Sequence, residues 1–230
     1  MKFGKLLLVA VSLFTLAAGA RPVYIHFAGD SVISHSSRKP RTGVGQAMAL
    51  YTLPGYEMVN RAKSGWSSTQ FRNGEQYAWE YLTRYVKPGD FLLIHFGHNN
   101  RHKNLSFEQY YDDLVFFVRE GRKLGADVVL VTPIEECIFK NGEFVGGKEL
   151  KKYTELTQDV AEAEKVPVID LNKLTEELFT SLGEEETRKL FIPKDPSHFN
   201  PDGAKKITEL LIKEAAAQNL KLAKAFKSVQ

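Results

Sequence analysis

The stretch Phe91-Leu92-Leu93-Ile94-His95-Phe96 is apolar at every position but one. A strand with one wet face alternates apolar and polar residues. A nearly unbroken apolar run suits a strand covered on both faces, and such strands belong to parallel sheets packed between helices. Shorter runs of the same kind occur at Val23–Ala28, Tyr56–Asn60, Asp127–Thr132 and Val166–Leu171. Helical patterns lie between and after them, at Thr42–Leu50, Gln76–Tyr85, Phe107–Leu124, Lys148–Lys165, Leu174–Leu182 and Pro201–Ala217. In the third of these Leu114, Phe117 and Val118 share a face, and Gly125 stops the helix. This alternation predicts an α/β chain, a three-layer α/β/α sandwich around a five-stranded parallel sheet. Asn141-Gly142 inside Ile138–Val145 predicts a hairpin, because that pair suits a two-residue turn. There is no internal repeat and no low-complexity linker, so a single domain is expected.

The first 20 residues stand apart from that pattern. Lys2 and Lys5 precede the mostly apolar Leu6–Leu16, and Ala18-Gly19-Ala20 follows as a small-residue cleavage pattern. This predicts a secretory signal peptide over residues 1–20, too short in its apolar core to span a membrane, and a domain over residues 21–230 that is secreted. Without Lys2 and Lys5 the formal charge falls from +3 to +1, which argues against a nucleic-acid partner. Cys137 is the only cysteine, so no disulfide can form within the chain, and it reads as a packing residue. The chain is long enough to bury roughly 70% of its unfolded surface without such a staple. Asn104-Leu105-Ser106 is a glycosylation sequon, meaningful in a eukaryotic source.

In open α/β sheets, ligands bind beyond the carboxyl ends of the strands. Polar clusters stand at four such places: Gly29-Asp30-Ser31, Asn60 to Ser67, Gly97-His98-Asn99-Asn100 and Thr132 to Glu136. Ser31 is the candidate nucleophile. A serine needs a base, and the base needs a group to orient it. In Asp195-Pro196-Ser197-His198 the spacing lets Asp195 fold back onto His198 Nδ1 and leaves Nε2 for Ser31. The N–H groups of Ser31 and Gly65 and the amide of Asn99 are candidate donors to an oxyanion. The alternative nucleophile elbow, G-x-S-x-G, is excluded because Ile33 stands where its second glycine would be.

Together these blocks resemble the GDSL (SGNH) hydrolase superfamily, and within it the rhamnogalacturonan acetylesterase branch. The resemblance runs through Gly29-Asp30-Ser31, Asn60-Arg61-Ala62-Lys63-Ser64-Gly65-Trp66-Ser67, Phe96-Gly97-His98-Asn99 and Asp195 with His198, and covers almost the whole mature chain. It implies a flavodoxin-like fold, a serine esterase without metal or cofactor, and acetylated polysaccharide or oligosaccharide as partner. It also implies a catalytic triad of Ser31, Asp195 and His198 and an oxyanion hole of Ser31, Gly65 and Asn99. Two departures concern specificity: Asn100 stands where the branch commonly has Asp, and Glu135-Glu136-Cys137 replaces arginines near the hairpin, altering charge on the rim.

Other residues have plainer readings. Trp66, His98 and Asn100 are expected to line the substrate site, Trp66 by stacking on a sugar ring, whereas Trp79 belongs to the core. Asp30 is structural and points away from Ser31. His95, His98 and His102 do not suggest a metal, since no carboxylate or cysteine accompanies them in sequence. The expected protein is a secreted monomer, without membrane or nucleic-acid partners, that deacetylates plant cell-wall polysaccharide of the rhamnogalacturonan or pectin type. A lipase, lysophospholipase or thioesterase of the same fold is the alternative, and a catalytically dead carbohydrate-binding protein is a third reading.

Overall fold

The computed structural model describes residues 21–229 apart from 75–77 and 104. The expected leader and Asn104 of the sequon therefore lie outside the described residues. In chain order the elements are β1 (Val23–Gly29), α1 (Val44–Met48), β2 (Tyr56–Asn60), α2 (Ser68–Asn73), α3 (Ala78–Thr83), β3 (Phe91–His95), α4 (His98–His102) and α5 (Phe107–Lys123). There follow β4 (Asp127–Val131), β5 (Phe139–Lys140), β6 (Glu143–Phe144), α6 (Leu150–Glu164), β7 (Val168–Ile169), α7 (Leu171–Arg188), α8 (Pro201–Ala217) and a 3-10 turn at Lys221–Ala225. Five strands form one parallel sheet in the order β2-β1-β3-β4-β7, as the alternation predicts. The hairpin of β5 and β6 pairs Phe139 with Phe144, and Asn141 and Gly142 both take positive φ (55° and 81°), as a two-residue hairpin turn requires.

Alternation of side chains along each strand divides the interior in two. Ile25, Phe27, Leu93, Val129 and Val131 point to one face and pack with α1, α7 and α8 through Met48, Phe179, Ile207 and Leu211. Ala28, Leu92, Ile94, Val128 and Leu130 point to the other and meet Phe71, Trp79, Phe117 and Val160. Trp79 is thus a core residue, its ring 4.9 Å from that of Phe117. All five residues of β3 are buried, which explains why its sequence carries no alternation.

Three boundaries differ from the sequence reading, each for a local reason. The first helix is only Val44–Met48, because residues 42–45 run against the turn after β1. Val44 N donates to Val32 O and Gly45 N to Ile33 O, and a Cβ on Gly43 would lie 2.0 Å from Ser34 O. The last strand is only Val168–Ile169, because Asp170 caps α7 by accepting from Lys173 N at 3.2 Å. That helix runs to Arg188, with a break at Gly183 (φ 73°). Two short helices, α2 and α4, have no counterpart in the sequence reading; Ser67 and Gln70 cap the start of α2 reciprocally.

Tyr110 joins α5 to the sheet at the end nearest the polar clusters. Its hydroxyl donates to Phe96 O at 3.0 Å and lies 2.8 Å from Thr157 Oγ1, fully buried. Tyr110→Phe leaves that carbonyl without its partner. It should lower the stability by about 1–3 kcal/mol in urea unfolding, the cost of an unsatisfied buried group; a variant as stable as the parent would contradict this.

Candidate active site

Parallel pairing brings the carboxyl ends of β1, β2 and β3 to one edge. Gly29 sits opposite His95 in the β1–β3 register, and a Cβ there would lie 2.9 Å from His95 O. Only glycine lets the two strand ends close up. Directly after it, Asp30 folds the chain: its carbonyl accepts from Ser34 N at 3.0 Å and its Oδ1 from Val32 N at 3.1 Å. Ser31 is held at the start of this turn, 8% exposed.

Ser31 Oγ lies 2.8 Å from His198 Nε2, although 167 residues separate them. His198 Nδ1 lies 2.7 Å from Asp195 Oδ2, while Asp195 Oδ1 accepts from Ser197 N at 2.9 Å and His198 N at 3.1 Å. Burial would raise the Asp195 carboxyl, but those N–H donors and the imidazole hold it below its ordinary range. An ionised Asp195 keeps the proton on Nδ1, so the Nε2 lone pair faces the Ser31 hydroxyl. The loop is fixed from both sides, by Ile192 N to His198 O and by Cys137 N to Pro196 O. Asn200 then caps α8, accepting from Gly203 N at 3.0 Å.

The second cluster continues the β2 ladder: Lys63 N donates to Gly29 O at 2.8 Å. Ser64 and Gly65 therefore lie beside the Ser31 turn. Gly65 has φ +79° and open space where a Cβ would stand. Asn99 donates from Nδ2 to Trp66 O at 3.1 Å, which holds its amide against this loop with a second amide hydrogen to spare. Ser31, Asp195, His198, Gly65 and Asn99 are thus brought together.

The other three expected site residues are placed differently. His98 is 4% exposed, with Nε2 2.9 Å from Ile134 O. Asn100 is fully buried, accepting from Ser68 N and donating to Ser68 Oγ at 2.8 Å. Neither lines the rim. The reason is α4: successive residues on a helix point about 100° apart, so only Asn99 of the three faces the site. Trp66 is half-buried on the second core, where a Cβ on Gly74 would lie 3.1 Å from its ring. Glu135 and Glu136, read as rim charges, are buried instead. Arg41 is a site residue that the sequence reading misses; its Nη2 donates to Ser31 O at 3.0 Å and to Ser64 Oγ at 3.2 Å.

Asp30 does point away from the Ser31 hydroxyl, but toward histidines that in sequence lack a carboxylate beside them. Its Oδ2 is 3.5 Å from His98 Nδ1 and its Oδ1 4.0 Å from His95 Nε2, and one ligand-type atom from each residue falls within 4.8 Å of the others. The side chain of His102 lies outside the described residues. Burial lowers His95 to about 4. Burial would lower His98 too, but Asp30 outweighs it and raises the imidazole, while the two histidines hold Asp30 low against its own burial. The group reads as a buried carboxylate–histidine pair, Asp30 with His98, beside a second histidine that burial keeps neutral.

His95 gives the site a pH signature. The unfolded chain protonates it near the ordinary value of 6.5, and the folded protein only near 4. Between those values the unfolded state binds the extra proton, so stability falls as pH drops, by roughly 3 kcal/mol across the window. His98, raised, keeps its contribution throughout that window. His95→Gln should flatten the fall in urea unfolding between pH 6.5 and 4; an unchanged slope would contradict the assignment.

Comparison with known proteins identifies the family and the fold. Residues 27–206 match the family model described as the GDSL-like lipase/acylhydrolase family. The chain is 30% identical over 203 residues to the Bacillus subtilis uncharacterized esterase YxiM, covering 85% of this chain and 52% of that protein. It thus spans about half of YxiM. It is 29% identical over 212 residues to the B. subtilis rhamnogalacturonan acetylesterase RhgT, covering 83% and 88% of the two chains. The crystal structure of YxiM superposes with a TM-score of 0.78 at 28% identity, over 88% of this chain and 58% of that one. A variant of the Geobacillus stearothermophilus acetyl xylan esterase Axe2 shares the fold (TM-score 0.66, 20% identity, covering 91% and 98%). The chain belongs to the GDSL-like lipase/acylhydrolase family of ester hydrolases.

Proposed function

We propose that this protein is a secreted serine esterase that removes O-acetyl groups from plant cell-wall polysaccharide of the rhamnogalacturonan type, or from its oligomers. The observation that carries the reading is the unbroken line of Asp195, His198 and Ser31, at 2.7 and 2.8 Å. Ser31 Oγ attacks the acetyl carbonyl carbon while His198 Nε2 takes its proton. The resulting oxyanion accepts from Ser31 N–H, Gly65 N–H and Asn99 Nδ2. Collapse breaks the ester bond, and His198 returns the proton to the departing sugar oxygen. Water, deprotonated by His198, then attacks the acetyl-Ser31 ester and releases acetate.

Two observations favour an acidic polysaccharide. RhgT is named for a galacturonan, a polymer that carries carboxylates. Two cavities of about 220 and 510 Å³ flank Arg41, and among the described residues their lining includes His35, Arg38 and Lys39 but no acidic residue. A cationic wall beside the nucleophile attracts a polyanion and gives no advantage to neutral xylan.

Ser31→Ala should abolish hydrolysis of p-nitrophenyl acetate, and Asn99→Ala should lower kcat by roughly 10²-fold. Retained activity in the first variant, or a change within two-fold in the second, would remove that residue from the mechanism. On polymers, acetate release from acetylated rhamnogalacturonan should exceed that from acetylated xylan. Added salt and the Arg38→Gln/Lys39→Gln double variant should both narrow the difference. Equal rates on the two polymers would contradict the charge argument.

A further inference from the structure

Helix α4 has five residues, too few to hold itself by backbone bonds alone. Side chains hold it. His98 binds Ile134 O and faces Asp30, Asn99 binds Trp66 O, and Asn100 binds Ser68. The ties to Asp30, Trp66 and Ser68 lead to the turn of Ser31 and to the loop that carries Gly65, and the tie to Ile134 leads to the segment after β4. The fourth residue reaches further along that segment. Arg101 grips Glu136 with two hydrogen bonds, Nη1 to Oε2 at 2.8 Å and Nη2 to Oε1 at 2.5 Å. The same Oε1 accepts from Ser197 Oγ at 2.5 Å. Ser197 is the residue before His198, and its own N–H binds Asp195.

One carboxylate therefore connects the helix that carries Asn99 to the loop that carries Asp195 and His198. That loop needs an anchor. Pro193, Lys194 and Pro196 are exposed and Asp195, Ser197 and His198 only half-buried, so little apolar packing fixes it. The residue after Glu136 adds a backbone tie, Cys137 N to Pro196 O at 2.8 Å. Glu136 itself is 2% exposed. A buried ion pair of this kind is weak evidence for stability, because desolvation offsets most of the attraction. Its value lies in geometry, since a misplacement of about 1 Å between reacting groups can lower a rate by 10²-fold.

We propose that Glu136 is a positioning residue: it sets the distance between the oxyanion donor Asn99 and the base His198 by holding Arg101 and Ser197 on one carboxylate. This rests on the proposed esterase mechanism. It concerns a residue that touches neither substrate nor the reacting atoms.

The test compares Glu136→Gln, Ser197→Ala and Ser197→Thr with the parent protein on p-nitrophenyl acetate. Glu136→Gln should lower kcat roughly 10-fold or more with KM within about two-fold. Ser197→Ala should lower kcat as well, and Ser197→Thr, which keeps the hydroxyl, should restore most of it. In an Asn99→Ala background the Glu136→Gln loss should shrink, because the distance it maintains no longer serves a donor. The downfield NMR resonance of the His198 Nδ1 proton should shift or broaden in Glu136→Gln while urea unfolding remains cooperative. A kcat within two-fold of the parent in both Glu136→Gln and Ser197→Ala would overturn the proposal. So would an undiminished loss in the Asn99→Ala background, or an unmoved resonance. If Glu136→Gln does not fold, the Ser197 pair decides. If the parent hydrolyses no ester, the esterase reading falls, and the resonance still judges the positioning role.

Discussion

The site depends on how tightly β1 and β3 close at their carboxyl ends. Gly29 against His95 O leaves no room for a side chain, and this contact places two peptide segments, 30–31 and 97–99, side by side on one edge of the sheet. The β2 ladder adds the loop of Ser64 and Gly65 through Lys63 N to Gly29 O. Three segments far apart in sequence are thereby fixed before any side-chain chemistry begins. The proposed base, His198, must then come from outside the sheet. It arrives on the loop before α8, which the bridge of Phe191 to Phe199 and the cap at Asn200 hold in place.

Around that edge the chain buries ionisable groups in pairs. Asp30 with His98 lies beneath the turn of Ser31, and Glu136 with Arg101 lies beside the loop of Asp195 and His198. Isolated, any of these groups would be expensive to bury; paired, each joins segments that apolar packing leaves free to shift. Asp195 differs. Its side chain keeps a third of its surface exposed, and three N–H donors orient it. The buried pairs build the frame, and the more exposed Asp195, the carboxylate of the proposed triad, is oriented within it.

Much of this is legible in the sequence because the relevant signals are local. Apolar runs and helical spacing reveal the parallel character of the sheet. The cluster at each strand end exposes Ser31, Gly65 and Asn99, and Asp195 with His198 fits within one short turn. His98 and Asn100 are misplaced by sequence reasoning because a five-residue helix leaves no periodicity to read. As the end of a strand, His98-Asn99-Asn100 looks like a rim; as a helix, it turns two of three side chains inward. Glu136 and Arg41 carry no local signal at all. Their partners lie 61 and 10 residues away, Ser197 for one and the Ser31 carbonyl for the other, and only the fold brings them together.

The most direct test is of the covalent step. Acid quenching during turnover of an acetyl ester, followed by protease digestion and mass spectrometry, should find an acetyl group on the peptide that contains Ser31. It should be absent when His198 is replaced by alanine. An acetyl group on another residue, or steady turnover with no acylated protein in repeated quenches by a variant slowed in deacylation, would contradict a nucleophilic role for Ser31.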